Sequence, residues 1–182
     1  MSKGKKFDKQ WNSNNSLFGI YIGSNDIYDI NFIETNQNVL ELLEQIINVV
    51  FNITEKMYEN GARNFIFINI APLDEAPINS NGKYSYFKDE IFYYNKLLNI
   101  KSENLFNKYN DINIIVYNNN NEYKYIMENY RNFEFLSGKK GWFYNKTIDQ
   151  NEFFWRDATH ITNKGNKIIA EDINDLLFSL NK

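Results

Sequence analysis

Three short apolar runs alternate with longer stretches in which apolar and polar positions are mixed. The runs are bounded by turn residues and rich in β-branched and aromatic side chains. This pattern is typical of strands that are buried in a parallel sheet. The predicted strands cover residues 17–22, 64–70 and 112–117.

The stretches between and after these runs carry apolar residues at spacings of three and four, which predicts amphipathic helices. The stripe of the first helix comprises Val39, Leu43, Ile46, Val50, Ile53 and Met57. We expect helices over about residues 37–60, 86–109 and 122–130, and a terminal helix capped by Thr162. Residues 136–150 are predicted to be irregular. Buried strands separated by amphipathic helices predict one α/β domain with a parallel sheet and right-handed crossovers.

The length, composition and charge of the chain argue against several classes of function. The chain has 182 residues, 43% of them hydrophobic, and a formal charge of −3. That length suits one domain, and the mildly acidic balance argues against a nucleic-acid partner. The absence of cysteine excludes thiolate catalysis and cysteine-ligated metals. The apolar runs are too short for a membrane span, and the first eleven residues do not form a signal peptide.

The single histidine, His160, follows Asp157 by three residues. A carboxylate at that spacing can accept the Nδ1 proton in a tight turn, which fixes the tautomer and leaves Nε2 to act as a base. The alternative is a surface histidine with an aspartate nearby by accident.

A second candidate is the segment from Gly23 to Asp26, which follows the first predicted strand. The glycine allows the backbone to turn, and the Asn25 amide can point into the crevice above the sheet. Such a donor can stabilise an oxyanion. The alternative is an ordinary turn at the end of a strand, where Gly, Asn and Asp are common. A stiff loop between Pro72 and Pro77 follows the middle strand, so three loops could converge at one sheet edge.

Four segments in order resemble the GDSL/SGNH ester hydrolases, and most closely the plant and fungal branch that includes carbohydrate acetylesterases. They are residues 16–27, 61–77, 94–98 and 153–170. The resemblance implies a flavodoxin-like three-layer α/β/α sandwich and a Ser-His-Asp triad. It makes His160 the general base, Asp157 its orienting carboxylate and Asn25 the oxyanion-hole asparagine, with Gly23 shaping the turn.

The chain departs from that family at three places. Arg156 stands between the tryptophan and the aspartate, and Ile161 stands where a proline is usual. The G-D-S segment with the nucleophilic serine, and the strand that carries it, are not found before Gly23. We therefore expect residues 1–15 to be non-homologous or disordered and residues 16–182 to be the C-terminal part of one hydrolase domain. The first strand would then have an uncovered apolar edge, which favours self-association.

Candidate binding residues are fewer. Trp155 is the best candidate to line the cleft, because it lies two residues from Asp157. Trp142 and Phe143 are either core residues or part of a saccharide platform, and the Lys139–Lys140 pair is expected to be solvated. No metal site and no cofactor are expected, since one histidine and no cysteine leave only carboxylates. No Gly-rich phosphate loop follows a strand.

The leading hypothesis is an ester hydrolase that removes short acyl groups, mainly acetyl, from a small-molecule or saccharide ester. The nucleophilic serine is absent from this chain, so its own activity is in question. A second hypothesis is a non-catalytic carbohydrate-binding relative, and a third is a flavodoxin-like binding domain with coincidental motifs. The resemblance also implies an extracellular protein, and three N-x-S/T sequons are compatible with secretion.

Overall fold

A computed structural model of the chain describes residues 11–30, 32 and 38–180. These residues belong to two compact units. The first unit lies within Met1–Ile70 and Phe92–Tyr117, and the second within Ala71–Ile91 and Asn118–Lys182. The predicted boundary after residue 15 stays a prediction, and residues 1–10 lie outside the described part.

The first unit contains a parallel sheet of three strands. They are β1 (Leu17–Ile20), β2 (Asn64–Ile68) and β3 (Asn113–Tyr117), in the order β1-β2-β3. Phe18 lies opposite Phe65, and Phe65 lies opposite Ile114. The three predicted strands and the parallel α/β class are therefore confirmed.

Three helices accompany this sheet: α1 (Ser24–Ile30), α2 (Val39–Glu59) and α3 (Phe87–Lys108), whose first turn belongs to the second unit. Helix α2 begins at Asn38, whose side chain accepts a hydrogen bond from the Leu40 amide, and it ends at Asn60 and Gly61. Helices α2 and α3 were predicted, whereas no helix was predicted over the residues of α1.

The core of the first unit lies between α2 and β2. Leu43, Ile47 and Phe51 of α2 are buried, and the Phe51 and Phe67 rings stack with centroids 5.0 Å apart. The buried face of α2 is rotated relative to the predicted stripe, because Ile53 is 51% exposed while Ile47 is fully buried.

Strand β1 is less buried than predicted. Leu17 is 41% exposed, and Tyr21 and Ile22 beyond the strand are exposed as well. Among the described residues β1 pairs only with β2, so it forms an edge of the sheet. The prediction of a buried strand is wrong here, and self-association through this edge stays a prediction.

The second unit contains α4 (Asn119–Glu128), β4 (Ser137–Gly141), β5 (Phe153–Trp155) and α5 (Asn163–Ser179). Strands β4 and β5 pair in parallel, although residues 136–150 were expected to be irregular. Their core is built on Tyr123, Ile126, Phe135, Phe154 and Trp155. Helix α5 is less buried than an amphipathic helix implies, since Gly165 is its one buried residue. No helix in the described part of the chain is long and apolar enough to cross a membrane.

Candidate active site

The loop that carries His160 is a tight turn closed by main-chain hydrogen bonds. Trp155 at the end of β5 forms an antiparallel bridge with Ile161. The Arg156 amide donates to the His160 carbonyl oxygen at 2.8 Å. These contacts hold the five intervening residues, with Asp157 and His160 among them, in one compact conformation.

Thr162 joins this loop to helix α5. Its buried hydroxyl donates to the Phe153 carbonyl oxygen at 2.9 Å and accepts from the Gly165 amide at 3.2 Å. The predicted N-cap is thus confirmed, and the cap also binds the start of β5. His160, two residues before the cap, is therefore attached to both a strand and a helix.

His160 and Asp157 form a hydrogen-bonded pair. The His160 Nδ1 atom lies 2.9 Å from Asp157 Oδ1 and 3.1 Å from Oδ2. The backbone amides of Thr159 and His160 also donate to Oδ1, at 3.0 and 2.8 Å. A carboxylate so placed favours the tautomer with the proton on Nδ1. The His160 side chain is 70% exposed, and its Nε2 makes no hydrogen bond with the described residues, so Nε2 can take a proton from an incoming group.

The electrostatics of Asp157 keep it charged. Partial burial by itself raises the pKa of the Asp157 carboxyl. Hydrogen bonds from the Thr159 and His160 amides, the His160 ring and the Arg156 guanidinium outweigh this effect and lower the pKa to about 2. Arg156, the residue that departs from the family pattern, donates to Asp157 Oδ2 at 3.1 Å through Nη2. The inserted arginine thus helps to hold the carboxylate.

The loop that carries Asn25 has a different support, and Tyr94 of α3 provides it. Gly23 has a φ of +111°, which favours glycine, and a Cβ there would lie 2.5 Å from the Tyr94 ring. The Tyr94 hydroxyl donates to the Ile22 carbonyl oxygen at 2.9 Å. Burial and the nearby Asp26 charge raise the pKa of Tyr94, so the hydroxyl stays neutral.

Helix α1 begins directly after Gly23, and Asn25 lies in its first turn. The Ile27 amide donates to the Gly23 carbonyl oxygen at 3.0 Å, which fixes the start of the helix on the glycine. The Asn25 side chain is exposed and makes no hydrogen bond with the described residues. Its amide is therefore available as a donor, and its role in an oxyanion hole stays a prediction.

Asn95, next to Tyr94, holds the end of the middle strand. Its Oδ1 accepts from the Ile70 amide at 2.8 Å, and its Nδ2 donates to the Ile70 carbonyl oxygen at 3.0 Å. Two neighbouring residues of α3 therefore fix the chain after β1 and after β2. The apolar stripe of the helix predicted over residues 86–109 includes Ile91, Tyr94 and Leu98. That stripe predicted only that Tyr94 is buried, and nothing in the spacing pointed to Asn95.

The sequence prediction for Trp155 is not supported by its position. Trp155 is fully buried among Tyr123 and Phe154, and its indole N–H donates to the Gly138 carbonyl oxygen at 2.9 Å. A ring in that position has no face for a ligand, so Trp155 is corrected from a cleft residue to a core residue.

Ser13 and Ser16 lie at the far end of β1 from Asn25. The carbonyl oxygens of Ser13 and Ser16 accept from Asn64 Nδ2, at 2.6 and 2.9 Å, before the first strand begins. Ser24 follows Gly23 directly and is the first residue of the seven-residue helix α1. Within the described part of the chain no cluster of three or more metal-ligating side chains is found.

Comparison with known proteins gives two findings. A model of the GDSL-like Lipase/Acylhydrolase family matches residues 2–173. An acetylesterase of Thermothelomyces thermophilus is 37% identical to the chain over 67 residues, which is 37% of the chain and 21% of the acetylesterase. The chain therefore spans about a fifth of the length of that relative. With more than nine-tenths of its residues matched, this chain belongs to the GDSL-like lipase/acylhydrolase family.

Proposed function

We propose that the chain supplies catalytic residues for the hydrolysis of short acyl esters, mainly acetyl esters of saccharides. The observation that carries this proposal is the His160–Asp157 pair, with Nδ1 bound at 2.9 Å and Nε2 exposed. Membership of the acylhydrolase family and the similarity to an acetylesterase support the reaction class.

In this reaction His160 Nε2 takes the proton of a serine hydroxyl while the serine oxygen attacks the ester carbonyl carbon. The tetrahedral intermediate then expels the alcohol, which receives the proton from Nε2. Water, deprotonated by the same nitrogen, attacks the acyl-serine and releases the acid. The serine is not assigned to a residue of this chain, since no G-D-S segment is found before Gly23.

Asp157 and Asn25 have separate roles in this scheme. The Asp157 carboxylate holds the ring and stabilises the imidazolium that forms when Nε2 takes the proton. The exposed amide of Asn25 is a donor for the oxyanion of the tetrahedral intermediate. Loss of one such donor typically slows the chemical step by about 10²–10³-fold.

The test has two stages. The coding sequence upstream of Met1 is read in frame for a strand that ends in G-D-S. Acetate release from acetylated xylo-oligosaccharides is then measured for the longest in-frame product and its His160→Gln variant. Loss of base catalysis is expected to lower kcat by about 10⁶-fold. Lys167→Gln, an exposed change on α5, is the matched control and retains full activity.

An unchanged acetate release after His160→Gln would overturn the assignment of the base. If the product has no activity while it binds the saccharides, the chain is a non-catalytic carbohydrate-binding relative. One observation favours that second function: the Phe143 and Tyr144 rings are 55% and 68% exposed, as saccharide-binding aromatic side chains often are.

A further inference from the structure

A cavity of about 450 Å³ opens in the second unit beside the His160 loop. That volume is within the range of small-molecule sites. Its walls come from the proline-bounded loop, β4 and the turn after β4. The lining includes Pro77, Ser80, Lys139, Lys140, Tyr144 and Asn145.

The walls of this cavity are attached to the His160 loop through the backbone. The Ile78 amide, beside the Pro77 wall, donates to the Ala158 carbonyl oxygen at 2.9 Å. The Phe143 amide donates to the Arg156 carbonyl oxygen at 2.9 Å. Gly141 lies so close to this loop that a Cβ there would be 2.7 Å from the Asp157 carbonyl oxygen. A ligand in the cavity is therefore held at a fixed position relative to Asp157 and His160.

The cavity is lined by positive charge without a compensating negative charge. Lys139 and Lys140 line it, and neither ammonium group has an ion pair or a hydrogen bond with the described residues. No acidic side chain of the described part of the chain belongs to the lining. By contrast, Lys124, Lys164 and Lys167 of the same unit each lie within ion-pair distance of a glutamate. The backbone under the two lysines is fixed, because both amides donate to Ser137 Oγ, at 3.2 and 2.9 Å.

An aromatic ring stands beside these charges. Tyr144 lines the cavity and is 68% exposed, so its face is open to a ligand. The Phe143 ring packs edge-on against Tyr144, and the Lys146 ammonium lies 4.2 Å from the centre of the Phe143 ring. An open aromatic face suits the apolar face of a sugar ring, and ammonium groups suit a carboxylate.

We propose that this cavity is a subsite for a uronate residue of the saccharide substrate, which deepens the proposed function and rests on it. The carboxylate lies between the Lys139 and Lys140 ammonium groups, and the sugar ring packs on Tyr144. Ser80 and Asn145 offer polar groups to the remaining hydroxyls. The preferred substrates are then acylated acidic saccharides, and neutral ones bind more weakly.

Titration calorimetry with two probes tests this subsite without any need for turnover. The probes are xylotriose and xylotriose that carries one glucuronate. The glucuronate is expected to tighten binding by about fivefold to tenfold at low salt, as two partly exposed ion pairs allow. This gain shrinks when the ionic strength rises.

Matched variants separate the subsite from general charge effects. Lys139→Gln with Lys140→Gln removes the preference for glucuronate, and Tyr144→Ala weakens both probes. Lys96→Gln with Lys167→Gln, at two exposed lysines that do not line the cavity, removes the same charge and keeps the preference. Thermal melts of each variant confirm that it is folded. Lys139→Arg with Lys140→Arg retains the preference.

Equal affinity of the wild type for both probes would overturn the subsite, and so would a preference that survives Lys139→Gln with Lys140→Gln. Inorganic phosphate that displaces the acidic probe at equal concentration would show a general anion site instead. His160→Gln keeps the binding preference, because the cavity does not include the His160 ring. Absence of acetate release would count against the proposed function, whereas absence of a preference for glucuronate would count against the subsite. The two failures can therefore be distinguished.

Discussion

The loop that carries Asn25 and the loop that carries His160 are held by different kinds of contact. The first depends on Tyr94, which is 72 residues away from Ile22 in the sequence. The second depends mainly on bonds between residues six or fewer positions apart, from Asp157 to Thr159 and His160 and from Arg156 to His160. Two main-chain bonds, from the Ile78 and Phe143 amides, add support from more distant residues. One loop takes its shape from a distant helix, and the other largely forms its own shape.

This difference predicts how each loop responds to substitution. Changes in α3 reach the Asn25 loop although α3 carries no proposed catalytic residue. The His160 loop is sensitive mainly to its own residues and to the Thr162 cap. Each unit thus protects its proposed catalytic group in its own way.

Gly23→Ala is expected to have the largest effect, because it disrupts the packing of the Asn25 loop against Tyr94 of α3. The new Cβ lies 2.5 Å from the ring of a buried tyrosine, and the φ of +111° is strained for any other residue. We expect a loss of about 3 kcal/mol in the free energy of unfolding in urea. Gly82→Ala is the control: its φ is +75° but nothing lies within 4 Å, so about 1 kcal/mol is expected. Equal losses at the two sites would show that Tyr94 does not confine Gly23.

Thr162→Val removes the cap that joins the His160 loop to α5 and β5. It removes both hydrogen bonds of a buried hydroxyl, one to Phe153 and one from Gly165. We expect a loss of about 2 kcal/mol in the free energy of unfolding. Thr147→Val removes only an exposed hydrogen bond to Asn145 and should cost less than about 0.5 kcal/mol. A Thr162 variant as stable as the Thr147 variant would contradict the role of the cap.

Tyr94→Phe sharpens the comparison, since it keeps the ring and removes only the hydroxyl. The hydrogen bond to the Ile22 carbonyl oxygen is lost, and a loss of about 1 kcal/mol is expected in the same urea experiment. Tyr125→Phe, at a half-exposed ring of the second unit, should change nothing measurable. If Tyr94→Phe also leaves the free energy of unfolding unchanged, the packing of the ring alone stabilises the Gly23 turn.

Acid is expected to weaken the His160 loop, and this effect is the smallest of the four. The pKa of Asp157 is lowered in the folded state to about 2. Its stabilising contribution is therefore complete above the ordinary pKa of about 4 and is lost as the pH falls from 4 towards 2. Solvent screening limits the contribution to less than about 1 kcal/mol. The stability difference between wild type and Asp157→Asn should shrink over that interval, and a difference that stays constant there would contradict the lowered pKa.

The sequence predicted what depends on local spacing. Asp157 and His160 are three residues apart in a turn, so their pairing could be inferred from the chain alone. The contact between Gly23 and the Tyr94 ring could not be inferred in this way, because the stripe of α3 identifies Tyr94 as buried but does not show which residues it contacts. The position of Trp155 was misjudged because nearness to Asp157 in sequence does not reveal which side of β5 is covered.

Strand β4 shows another limit of pattern reading. Its sequence, Ser-Gly-Lys-Lys-Gly, has neither alternation nor β-branched residues, and its pairing with β5 rests on the main chain. Strand β5 has three residues, too few for a period to be seen. The cavity beside the His160 loop, which lies next to β4, could not be foreseen for the same reason.

The parallel pairing of β1 with β2 has a consequence for synthesis on the ribosome. Asn64, the first residue of β2, contacts Ser16 across 48 residues of chain. At elongation rates of about 5–20 residues per second, β1 waits roughly 2–10 seconds for its partner strand. Throughout that interval the apolar strand segment Leu17–Ile20 has no β2 to pair with and is available to other nascent chains. Slower translation lengthens this exposure, so the yield of folded protein should depend on how fast the segment between β1 and β2 is translated.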